Sequence, residues 1–202
     1  MTLHPHDLLW LRAGATLINI QESWVAQQWD SRQPVVVRRD VTDNGKIPIG
    51  VRGRARHQRA AGWVLAQDIE RVTTPEELLD TALPQDFQAH ATVQALNILT
   101  QQRWPWRWGV TGSTGFALAT SLPVLHAQSD LDLLIRAPQP LVPDDFILWQ
   151  QQLSALPCRA DTQIETPSGG FALNEWLRGK SVLLKTARGP RLTAFPWAEE
   201  NR

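Results

Sequence analysis

The sequence predicts an α+β protein in two parts. A small mixed α/β N-terminal domain covers residues 1–88, and a C-terminal domain over residues 89–202 has helices flanking a mixed sheet. Three observations predict this. The 202 residues suffice for one large domain or two small ones. Strand and helix patterns alternate through the second half, as they do around a mixed sheet. Pro84, followed by a helical pattern, places the boundary near residues 84–90.

In the first half, PVVVRR (34–39) is a β-branched run of strand type, and IPIGV (47–51) is a second short strand. Residues 52–62, basic and flanked by glycine, fit neither pattern. Thr74-Pro75-Glu76-Glu77 combines a cap, a proline suited to the first helical position and a capping-box glutamate, so a helix is expected through LLDTAL. A longer helix is expected over 86–101, where Phe87, Ala91, Ala95, Ile98 and Leu99 recur at helical spacing. Next come a strand (106–110), the turn TGSTG, a short helix FALAT and a strand LDLLI (131–135). A helix over 146–156 precedes the alternating strand CRADTQIE (158–165). The TPSGG turn, a helix FALNEWLR and a strand over 181–186 close the chain.

Composition narrows the function classes. Twenty basic and twenty acidic side chains leave no net charge, which argues against a nucleic-acid binder. Cys158 is the only cysteine, so an internal disulfide and a zinc site of several thiolates are excluded, and a reducing compartment is expected. The first residues lack a signal-peptide pattern, and no apolar run reaches the roughly 18 residues of a membrane span, so a cytoplasmic protein is expected. Ten tryptophans and no tyrosine have no explanation in the sequence, beyond the large apolar area that tryptophan offers a core.

The chemistry concentrates in residues 112–136, GSTGFALATSLPVLHAQSDLDLLIR. Gly112 leaves room for a phosphate to approach backbone. Ser113 offers a hydroxyl at the start of a helix, whose first N–H groups favour an anion. Asp130 and Asp132 alternate along a strand with Leu131 and Leu133, so the acids share a face roughly 6–7 Å apart while the leucines enter the core. Two carboxylates held together beside apolar surface repel, and a hard cation such as Mg2+ relieves that repulsion.

A Gly-Ser turn, a short helix and an apolar strand with D-x-D together resemble the DNA polymerase β-like nucleotidyltransferase superfamily. That resemblance implies a third carboxylate on a neighbouring strand: Asp161, with Glu165 as the alternative. One departure is the 16-residue gap between Ser113 and Asp130, longer than the usual spacing, which a turn around Pro123 could absorb.

The likeness extends along nearly the whole chain. HDLLWL, PVVVRR, IPIGVRG, TPEEL, the 112–136 block, DTQIETPSGGFALNEW, VLLKT and the closing GP…PW resemble the phosphoribosyl-dephospho-CoA transferases of malonate decarboxylase, its holo-acyl-carrier-protein synthases. The resemblance implies transfer of 2'-(5''-triphosphoribosyl)-3'-dephospho-CoA to a serine of the acyl-carrier subunit, with release of pyrophosphate. It implies two Mg2+ ions held by Asp130, Asp132 and Asp161. Asp161 would also take the serine proton, and Gly112 and Ser113 would hold the pyrophosphate end. Arg136, Lys180 and Lys185 are candidates for the triphosphate. Alternatives are an ATP-using nucleotidyltransferase of the same fold, the citrate lyase counterpart, and a non-catalytic assembly factor.

Between Arg32 and Arg71, nine Lys or Arg face four Asp or Glu, so this segment is expected to dock the carrier protein or bind the triphosphate. Arg52, Arg54, Arg56 and Arg59 are the first to test. His57 and His90 show no ligand spacing, and His126, near the carboxylates in sequence, is expected in the turn before the strand. Cys158 reads as a small buried side chain, and Trp104, Trp106 and Trp108 as packing residues.

Overall fold

The computed structural model describes residues 2–41, 45–53, 55, 57–82 and 84–198. The chain is α+β and divides into two compact units, residues 1–74 and 75–202.

The first unit is a five-stranded antiparallel sheet. Its strands are β1 (Leu8–Leu11), β2 (Val35–Val37), β3 (Lys46–Arg52), β4 (Arg59–Leu65) and β5 (Ile69–Thr73), in the order β4-β3-β2-β1-β5. One face is apolar: Leu9, Leu11, Val35, Val37, Ile49, Val51, Ala60 and Val64 are buried on it with Val25 of α1 (Trp24–Gln28). Strand alternation sends Lys46, Arg52 and Arg59 to the opposite face, where Arg52 and Arg59 are register partners. Arg71 lies 3.6 Å over the Trp10 ring, a cation–π contact. Arg54 and Arg56 fall outside the described residues. Three of the five strands were not legible in the sequence. β1 is short, β5 carries two charged residues, and the arginines around β4 hide its alternation of Ala60, Gly62 and Val64.

The second unit is a six-stranded mixed sheet of β6 (Arg107–Val110), β7 (Leu131–Arg136), β8 (Ala160–Thr166), β9 (Gly169–Ala172), β10 (Val182–Thr186) and β11 (Gly189–Thr193). The order is β11-β10-β9-β8-β7-β6. Only β7 and β8 run parallel, and helix α4 (Ile147–Ser154) lies in the crossover between them. The other helices are α2 (Ala91–Thr100), α3 (Gly112–Thr120) and the single turn α5 (Leu173–Trp176).

One face of this sheet packs on an aromatic cluster. Trp149 of α4 is fully buried, and its indole N–H donates to the Thr162 hydroxyl at 3.0 Å. Trp104, Trp106 and Trp108 meet Trp149 edge-on at centroid distances of 4.7, 6.0 and 5.5 Å. Trp106 stacks on Phe146 at 4.3 Å. Trp108 and Trp149 are therefore core residues, with Trp104 and Trp106 partly buried at the margin of the cluster, which supplies a use for the unusual composition.

Several elements differ from expectation. The units divide between Thr74 and Pro75 rather than near residue 88. Pro75 belongs to the second unit because its carbonyl accepts the Val110 N–H at 3.1 Å, and its backbone lies where a side chain on Gly109 would stand. Pinned there, residues 77–80 form only a 3-10 turn, not the helix expected from Thr74. The helix expected over 86–101 is a 3-10 turn at Gln85–Phe87 followed by α2. The segment read as a helix FALNEWLR opens as strand β9, since Gly169 (φ 152°) reverses the chain and Phe171 pairs with Ile164. Among the described residues no helix is long and apolar enough to cross a membrane.

Candidate active site

Strand β7 enters the sheet from a turn in which Ser129 and His126 bond reciprocally: Ser129 N–H to the His126 carbonyl, and His126 N–H to the Ser129 hydroxyl, both at 3.0 Å. Asp130 follows this turn. Leu131, Leu133 and Ile135 then face Trp149 and its neighbours, while Asp132, Leu134 and Arg136 take the opposite side of the strand.

The parallel pairing of β7 with β8 sets Asp132 directly beside Asp161. Register partners on adjacent strands share a face, so the two carboxylates stand on neighbouring strands roughly 5 Å apart at the backbone. Glu165 lies four residues further along β8, next to Arg136, and accepts a hydrogen bond from the Gln163 amide at 2.5 Å. Of the two candidates for a third acid, Asp161 is the one placed next to Asp132.

The Gly-Ser turn is tied to the same point. The Thr111 N–H and hydroxyl donate to the Asp132 carbonyl at 2.8 and 3.3 Å, and Gly115 N–H closes the first turn of α3 on the Thr111 carbonyl at 2.9 Å. Gly112 (φ 63°) faces the Asp132 carboxylate so closely that a Cβ would overlap it. Only glycine serves both demands, the left-handed backbone and the missing side chain. Ser113 is the second residue of α3 and is partly buried.

Among the expected cations, Lys185 is on the carboxylate side of the sheet. Its ammonium donates to the Gln163 side-chain oxygen Oε1 at 3.4 Å, two residues along β8 from Asp161. Arg136 is four residues beyond Asp132, about 13 Å along the strand, with the fully buried Leu134 between them. Its guanidinium donates to Glu76 at 2.9 Å, and Arg107 approaches the same carboxylate at 3.8 Å. Lys180 lies in the exposed turn before β10.

Asp161 forms an ion pair with Arg159 at 2.7 Å, with 76% of the arginine and 42% of the aspartate side chain exposed. In kind, the carboxylates of Asp130, Asp132 and Asp161 fit a hard cation. Among the described residues no three His, Cys, Asp or Glu side chains stand close enough together to enclose one. Cys158 is half-buried rather than buried; burial, and secondarily the charge of Asp130, raise its thiol pKa.

Gln163, Thr111, Arg159 and Glu76 escaped the sequence reading. Polar residues on a strand or in a turn carry no pattern that marks their partners, which come from elsewhere in the chain.

The comparisons divide the chain at the same place. Residues 77–196 match the family described as phosphoribosyl-dephospho-CoA transferase MdcG C-terminal domain, and residues 4–75 the corresponding N-terminal domain. A Klebsiella pneumoniae protein named phosphoribosyl-dephospho-CoA transferase is 60% identical over 98% of both chains. Proteins of the same name from Pseudomonas aeruginosa and Azotobacter vinelandii are 42% and 41% identical, each over 96% of this chain and 93% and 94% of their own. No solved structure matches. With both domain models in order and relatives aligned end to end, the chain is a transferase enzyme and belongs to the phosphoribosyl-dephospho-CoA transferase family.

Proposed function

We propose that this protein transfers 2'-(5''-triphosphoribosyl)-3'-dephospho-CoA to a serine of the apo acyl-carrier subunit of malonate decarboxylase and releases pyrophosphate. The supporting observation is the register pairing of Asp132 with Asp161 beside the Thr111–Ser113 turn, in a chain of this family.

The serine oxygen forms a bond to the α-phosphorus of the donor as the bond from that phosphorus to the pyrophosphate oxygen breaks. Asp161 accepts the serine proton. The backbone N–H groups at the start of α3, with Gly112 and Ser113, receive the departing pyrophosphate. Lys185 lies on the same side of the sheet, where its positive charge favours the triphosphate. Arg136, engaged by Glu76 and about 13 Å along the strand, has no part in phosphate binding on this reading. The register partners Asp132 and Asp161 would hold Mg2+, joined by Asp130 once the three carboxylates draw closer than they stand here, and the ion supplies charge neutralisation at the phosphoryl oxygens when bound. Arg159 would then exchange Asp161 for a phosphate oxygen.

The test is to mix the protein with apo carrier, the donor and Mg2+ and weigh the carrier. Its mass should rise by the phosphoribosyl-dephospho-CoA group, and Asp132→Ala should abolish the gain while the circular dichroism spectrum is kept. Labelled ATP consumed in place of the donor, or full transfer after chelation, would refute the reading.

A further inference from the structure

The side of the sheet that carries Asp132 and Asp161 continues outward to its edge. In register order across the strands, Gln163 pairs with Ala172, and Lys185 pairs with Gly170 on one side and Pro190 on the other. Leu183, two residues from Lys185, therefore shares this side, and its register partner is Leu192 on the edge strand β11. Leu192 is 75% exposed and Leu183 41%. Their neighbours in the same strands, Val182 and Leu184, are fully buried on the other side, so the sheet has its core there and gains nothing from the exposed pair. As cross-strand partners the two leucines form one contiguous apolar spot rather than scattered exposed residues.

Charge narrows the occupant. Lys185 shares the side of Leu183 and Leu192, and Arg178, Lys180 and Arg188 lie in the turns that flank β10, while Arg191 pairs with the buried Leu184 on the other side. Against these four cations stands one acid, Glu175, which accepts the Leu183 N–H at 3.0 Å, so the hairpin keeps a net positive charge. A second copy of the chain is a poor occupant, since a two-fold contact would set this cationic hairpin against itself. A flexible organic arm is a poor one too, because small ligands are held in concave sites and these leucines stand on an open strand pair. Pro190 removes a backbone donor from the edge strand, so recognition through added β-pairing is blunted and the side chains are what remains.

We propose that the β10–β11 hairpin, centred on Leu183 and Leu192, docks the acceptor polypeptide, an acidic protein that presents an apolar patch near its serine. The inference rests on the acceptor reading above and places the contact in the second unit. By register Leu183 is level with Ala172 and Gln163, and Asp161 lies two residues along β8 on the same side of the sheet, so a partner bound there would present its hydroxyl on the carboxylates' side.

The experiment uses the full chain and the apo carrier of malonate decarboxylase. Binding of the carrier is measured by calorimetry without donor, and transfer by carrier mass. Leu192→Asp places a carboxylate in the patch and should weaken carrier binding and raise its KM about tenfold or more, with donor KM and melting temperature unchanged. Leu192→Lys, equally polar but of the other sign, should weaken binding less. Arg188→Glu should raise the carrier KM most at low salt. Unchanged carrier binding in Leu192→Asp overturns the proposal, as does a rise in donor KM alone, or a wild-type dimer that Leu192→Asp dissociates. The two readings separate cleanly: wild-type protein that binds the carrier through this patch without modifying it refutes the transfer reaction and keeps the surface. Transfer that Leu192→Asp leaves untouched refutes the surface and keeps the reaction.

Discussion

The Asp132 carboxylate occupies the space that a side chain on Gly112 would need, while the Asp132 carbonyl receives both the N–H and the hydroxyl of Thr111. The Gly-Ser turn and the acidic strand are thus one unit, joined through a single residue. Gly112→Ala should cost about 1–3 kcal/mol from its left-handed backbone alone. Because the new methyl must also displace the carboxylate, transfer should fall much further than stability. Comparing the melting temperature with the rate of carrier modification checks this, and an alanine variant with near wild-type rate would contradict the placement of Asp132.

Asp161 and Glu165 should separate by phenotype. Asp161→Ala removes an exposed ion pair, so stability should stay within about 0.5 kcal/mol, while transfer drops by a factor on the order of 100 or more. Glu165→Ala removes a buried acceptor of the Gln163 amide and should cost about 1–3 kcal/mol. Its turnover number should remain within a few-fold of wild type. Urea unfolding and single-turnover kinetics on both variants decide the assignment.

Glu76 links two arginines that are register partners on β6 and β7. The Glu76–Arg136 pair is mostly shielded, with 12% and 16% of the side chains exposed, so Glu76→Ala should cost about 2 kcal/mol, less than a fully buried pair. Arg107 is 72% exposed, and Arg107→Ala should change stability by no more than about 0.5 kcal/mol. Thermal melts of the two variants test this, and equal effects would contradict the shielding.

Trp149 joins the aromatic cluster to β8. Trp149→Ala should cost about 3–5 kcal/mol as a cavity in the core. Thr162→Val, which removes only the acceptor of the indole N–H, should cost about 1 kcal/mol. Tryptophan fluorescence during chemical unfolding provides the readout.

Cys158 reports on Asp130. Burial and the nearby carboxylate both favour the protonated thiol, so the thiolate forms only above its ordinary pH range and alkylation near pH 8 should be slow in the folded chain. Asp130→Asn removes the like charge, lowers the thiol pKa and should speed iodoacetamide labelling. Burial remains, so the rate should still trail that of the unfolded chain. An unchanged labelling rate would show that Asp130 stands away from Cys158.

The D-x-D strand and the Gly-Ser turn were legible because each has a local signature: apolar residues alternating with acids, and glycine at a strand end. The edge strand β11 was not. Gly189-Pro190-Arg191 carries no strand pattern, and its strand character comes from pairing with β10. β9 was mistaken for helix because FALNEW has helical composition, yet a strand pairing with β8 buries Phe171, which outweighs propensity.

By itself, then, the sequence determined the fold class, the two-part organisation and which short segment holds the acids and the turn, since these follow from residue type and spacing along a few consecutive positions. Only the tertiary structure decided that Asp161 rather than Glu165 stands beside Asp132, that Arg136 answers to Glu76, and that Leu183 and Leu192 share the carboxylates' side of the sheet. Those relations depend on strand register, and register is set by which strands pair across dozens of intervening residues, a choice that no local pattern encodes.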